Sequence, residues 1–88
     1  MPNKFEKLAK EAAEMADEQF KAEFSKLTRL NDSEIEKIID DTGISKEDLA
    51  QVLKEIKDAT ASNEAKAKAI QNINNGVSAL ISIARKLI

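Results

Sequence analysis

Apolar residues in this 88-residue chain recur at three- and four-residue spacings, the period of one face of an α-helix, and this most restricts what the chain can become. At about 100° per residue, Phe5, Leu8, Ala9, Ala12, Ala13, Ala16, Phe20, Phe24, Leu27 and Leu30 project onto one broad stripe. Ile70, Ile73, Val77, Leu80, Ala84 and Leu87 form a second stripe near the end of the chain. Good helix formers dominate, with thirteen Ala against two Gly and one Pro. The expected fold is therefore all-α, a single domain over residues 1–88.

Polar punctuation divides these stripes into an expected four-helix domain, two long terminal helices flanking two short central ones. The first helix is expected over about residues 2–30, since Pro suits a first turn. Asn31 or Asp32 is a good N-cap, Glu34 stands at the spacing of a capping box and Gly43 suits a left-handed C-terminal residue, so a second helix spans about residues 33–42. Ser45 and Asp48 repeat the box spacing ahead of Leu49, Val52, Leu53 and Ile56, which predicts a third helix over about residues 46–59. Ser62 or Asn63 caps a fourth. The 3-4-3-4-3 spacing from Ile70 to Leu87 runs through Asn74-Asn75-Gly76 without a change of phase, and this register predicts one unbroken helix. Gly76 would weaken it by about 1 kcal/mol relative to Ala.

Beyond Gly76 that stripe widens, with Ile81 and Ile88 beside it and Ile83 on its other flank. One neighbouring helix could not easily cover such a width. Either the first and third helices both pack on it and bury it within the chain, or a second chain covers the remainder, with docking on a membrane surface disfavoured by the lack of Trp and of a Lys-rich polar face. On the second reading Val77, Leu80, Ile81, Ala84, Leu87 and Ile88 are the candidate partner interface, and a homodimer or another protein is the expected partner. Net charge is only −2 but uneven: residues 32–60 carry nine acids and four bases, and residues 61–88 one acid and four bases. This asymmetry suits complementary pairing within or between chains.

The chain contains neither Cys nor His, and no Tyr or Trp. Thiolate nucleophiles, disulfides and the usual zinc or haem ligand sets are therefore excluded, together with the commonest general base near neutral pH. No cofactor, metal site or catalytic residue is expected, and the predicted role is a non-enzymatic protein–protein interaction or structural domain. The amino-terminal residues alternate charged and apolar types, unlike a signal peptide, and the apolar tail is too short to span a bilayer, so a cytoplasmic location is expected.

Two features carry sharper alternatives. In "IIDDTGISKEDLAQVL" an apolar pair, Ile38 and Ile39, precedes Gly43 in a turn, followed by Ile44, Leu49 and Val52. This pattern resembles the DNA-binding helix-turn-helix, and the resemblance implies a regulator whose Lys46, Ala50, Gln51 and Lys54 would face the groove. The acidity of the segment opposes phosphate contact. Glu23 projects onto the apolar stripe of the first helix, so it should either open to water or find a cation, Lys26 or Lys66.

Overall fold

The computed structural model describes residues 4–58 and 60–87, all of whose regular structure is helical. Among the described residues six helices appear instead of the expected four: α1 Lys4–Glu11, α2 Asp17–Leu27, α3 Asp32–Thr42, α4 Lys46–Ile56, α5 Asn63–Gln71 and α6 Gly76–Leu87. Each of the two long terminal helices of the expectation is a broken pair. A rod of about 25 residues would measure roughly 37 Å at 1.5 Å per residue. That exceeds the longest dimension of the fold, 31 Å, so folding the rods back yields a smaller body around one core.

The central helices follow their sequence signals. Asn31 accepts the Glu34 amide at 2.9 Å while Glu34 accepts the Asn31 amide at 3.2 Å, completing the capping box of α3. Gly43 closes α3 in the left-handed region at φ 72°, and Ser45 opens α4 by accepting the Asp48 amide at 3.1 Å. A threonine hydroxyl ends both α2 and α3 in the same manner. Thr28 donates to the Phe24 carbonyl and accepts from the Leu30 amide, and Thr42 repeats this with Ile38 and Ile44. The last turn is thereby satisfied as the chain leaves the helix.

Helix α4 is the hub, in contact with α1, α2, α5 and α6. Leu49, Ala50, Val52 and Leu53 are all buried on it, so its apolar arc is wide enough to serve several neighbours. Phe20 and Phe24 of α2 pack against this hub with ring centroids 5.5 Å apart. Ile35 and Ile38 complete the layer, while Ile39, Leu27 and Ile56 are partly buried at its margin. Ala13 and Ala16, expected inside, are exposed, and the Phe5 side chain lies outside the described residues.

The break between α1 and α2 falls in Ala12–Ala16, among good helix formers with neither Gly nor Pro. Local propensity cannot explain it. Helix α1 lies along α4 whereas α2 lies mainly on α3, and one straight rod could not reach both. The break leaves the Met15 carbonyl without a helical partner, and Lys46, reaching across from the first turn of α4, donates to it and to Asp17 Oδ1 at 3.0 Å. Glu23, expected at a polar opening or beside a cation, has both: its side chain is 43% exposed and lies 3.6 Å from Lys26. Lys66 donates instead to the Ile56 carbonyl.

The second break is built differently. Helix α5, capped by Ser62, ends at Gln71, and the Ile73 and Gly76 amides then close tight turns onto the Ile70 and Ile73 carbonyls. Asn75 takes φ 62°, a left-handed conformation that Asn tolerates better than most residues, and its carbonyl accepts the Ala79 amide to start α6. A Cβ on Gly76 would sit 2.3 Å from the Ile70 carbonyl oxygen and 2.9 Å from Ile73 Cβ. Close approach explains this Gly, and the approaching group is the chain's own preceding turn.

Replacing Lys46 by Met should remove the cation that satisfies the first break while keeping the length of the side chain. A loss of about 1–2 kcal/mol in urea unfolding is expected; an unchanged midpoint would show that the contact with Met15 and Asp17 contributes nothing.

Candidate interaction surface

The break at Gly76 sets how α6 is rotated. Gly76, Ala79 and Ile83, spaced three and four apart, turn inward, with Ala79 fully buried and Ile83 only 3% exposed. The face opposite them therefore carries Val77, Ile81 and Ala84. Val77 is 46% and Ile81 47% exposed, and they are the exposed large apolar residues among those described. Leu80 is half-buried at one border of this face; Ser78 and Arg85 form the other. The helix GVSALISIARKL contains no acid, and its only charges are Arg85 and Lys86 in the last turn.

Of the six residues marked by the sequence as an interface, the structure brings Val77, Ile81 and Ala84 onto one open face and Leu80 to its edge. The Leu87 side chain and Ile88 lie outside the described residues. The sequence reading placed Ile83 on a flank, but it is an inward anchor. The available signal was Asn74-Asn75-Gly76 itself: a restart at Gly76 changes the rotation of the following helix even though the spacing in sequence is continuous.

The surroundings of the face are asymmetric in charge. Asn75 Nδ2 donates to the Gly43 carbonyl at 3.3 Å, which sets the amino end of α6 beside the carboxyl end of α3. There Asp40 and Asp41 are both exposed, and no base lies in that last turn. Acids at a helix carboxyl end oppose the helix dipole, so this corner is electrostatically unfavourable within one molecule.

The residues suggested by the helix-turn-helix resemblance are not gathered on an open face. Ala50 is fully buried, Lys46 is engaged with Met15 and Asp17, and Gln51 and Lys54 are partly covered. The three-residue turn through Gly43 thus serves to lay α4 into the core.

Grooves elsewhere are shallow. One of about 380 Å³ between α1 and α2 has Leu8, Met15 and Leu27 as its floor and both signs of charge, Lys7, Lys26, Glu11 and Glu23, around it. Another of about 440 Å³ is floored by Leu53, Ile56 and Ile83. Neither holds an unsatisfied buried polar side-chain atom, and among the described residues no three acids, Cys or His converge as metal ligands would. Asp58, between α4 and α5, titrates below its ordinary 3.8, first because it accepts a hydrogen bond from the Thr60 hydroxyl and then from the Thr60 amide. That is the chemistry of a tied connector. No described helix is long and apolar enough to cross a membrane. Comparison of the chain with protein families, with curated proteins and with solved structures finds no match.

The two faces of α6 should respond differently to truncation. Ile83→Ala is expected to cost about 2–4 kcal/mol in chemical unfolding at low protein concentration, whereas Ile81→Ser should stay within about 0.5 kcal/mol of the parent. Equal losses at the two positions would place Ile81 in the core.

Proposed function

We propose that this chain is a non-catalytic association domain, and that it pairs with a second copy of itself through the outward face of α6. The observation that carries the reading is the joint exposure of Val77 and Ile81, nearly half each, one helical turn apart. Two large aliphatic residues on one ridge, next to exposed Ala84, form a continuous apolar strip. Single exposed apolar residues are ordinary on a protein surface; a strip aligned along one helix is what an interface requires. The absence of His and Cys from the sequence supports association over catalysis, because it removes the most versatile catalytic side chains.

Magnitudes bound the strength of such pairing. Complete burial of an aliphatic side chain is worth roughly 1.5–3 kcal/mol, so covering the exposed half of Val77 or Ile81 adds about 1 kcal/mol each. Association costs at least about 4 kcal/mol of lost freedom. A face only twelve residues long falls below the roughly 800 Å² per partner of a standard interface unless neighbouring elements contribute. Covering Val77 and Ile81 on both protomers, about 4 kcal/mol in all, only offsets that cost, so the expected dimer is weak and depends on what neighbouring elements add, with a dissociation constant of roughly 0.1–1 mM.

Sedimentation equilibrium from about 10 μM to 1 mM should show a reversible monomer–dimer transition at those affinities. Ile81→Asp should hold the protein monomeric throughout with an unaltered helical circular dichroism spectrum. A parent chain that remains monomeric across the range would refute self-association.

A further inference from the structure

Given the association reading above, we infer that two copies dock about a two-fold axis with their α6 helices antiparallel, so that Arg85 of each protomer meets Asp41 of the other. Ile81 lies near the middle of the outward face, and Arg85, one turn later, is on the same side of α6 and exposed. Antiparallel pairing centred on Ile81 brings Arg85 level with Val77 of the second copy, in the first turn of its α6. That amino end is where the Asn75–Gly43 hydrogen bond holds the carboxyl end of α3, with its acidic last turn.

Asp41 fits this role better than its neighbour. Asp40 lines the groove that α3 forms with α2, beside Lys21 and Lys46, and Glu36 of the same flank pairs with Lys21 at 3.3 Å. Asp41, one residue further, projects about 100° away from Asp40, to the flank of α3 turned from α2. Helix α3 is packed between α2 and α6, so that flank is the one bordering α6. Among the described residues, neither Asp41 nor Arg85 forms an ion pair within the chain.

Charge decides the direction of pairing. A parallel arrangement would bring the two basic ends together with no acid on either α6 to offset them. The antiparallel arrangement instead delivers a cation to an acidic helix end that lacks one, and does so twice by symmetry. It also closes the assembly at two copies, because each face is covered by its own equivalent.

Charge reversal on the full chain, followed by sedimentation equilibrium, tests this. Arg85→Glu and Asp41→Arg should each weaken self-association about tenfold or more, since each replaces two attractive contacts by two repulsive ones. An equimolar mixture of the two variants should dimerise about as tightly as the parent, because a mixed dimer restores an opposite-charge pair at both positions. Asp41→Arg should meanwhile raise the thermal midpoint of the monomer slightly by relieving the end of α3, which separates the loss of pairing from misfolding. If the parent dimerises and Ile81→Asp abolishes this, but the mixture is no tighter than either variant alone, the antiparallel arrangement is wrong while the association reading stands. If the parent does not dimerise, both fall.

Discussion

The contact between the Gly76 α-carbon and the Ile70 carbonyl determines much of what this molecule presents to its surroundings. The turn can fold this tightly only because no side chain stands between them; a Cβ would approach the oxygen to 2.3 Å. Once the chain turns there, α6 enters the core with Ala79 and Ile83 inward, and Val77 and Ile81 are left outside. A straight continuation would place α6 elsewhere and present a different face. Asn75 secures the arrangement twice, through its left-handed backbone and through its side-chain bond to Gly43.

Helix α6 is apolar on much of its circumference, and this links the fold to the proposed function. A helix with one apolar stripe satisfies itself against its own core. In α6 the inward stripe of Gly76, Ala79 and Ile83 is small-residue-rich and admits α3, α4 and α5 closely, while the larger Val77 and Ile81 point away. Such a distribution leaves part of the apolar surface outside the core that the described residues form. The adjoining acidic end of α3 adds a polar requirement at the same edge.

The legible and illegible parts of the sequence divide by the range of the forces involved. The bounds of α3 and the start of α4 could be read nearly to the residue because Asn31, Glu34, Gly43 and Ser45 act within three or four positions of themselves, whereas α4 ends at Ile56, short of the expected 59, where no such cap marks its end. The break after Glu11 could not. Its residues favour a helix, and the turn is stabilised by Lys46, some thirty positions away, taking up the Met15 carbonyl. At Asn74-Asn75-Gly76 the local signal for a turn was present, but the continuous apolar spacing argued against it and was misleading. That spacing describes which residues could share a face in a straight helix; it contains no information about whether folding back buries more. The shared exposure of Val77, Ile81 and Ala84 was legible, though for a different reason: a restarted helix has its own rotation.

The stability of Gly76→Ala tests the central claim most directly, because the two geometries predict opposite signs. In an unbroken helix the substitution would stabilise the protein by about 1 kcal/mol through helix propensity. Against the folded-back turn the added methyl meets a backbone oxygen, and forcing that space open should cost roughly 1–3 kcal/mol. Equilibrium urea unfolding of the parent and the variant at matched concentration resolves the difference. A clear loss of stability is the result required by the turn at Gly76; a gain would contradict it and remove the rotation of α6 on which the outward face depends.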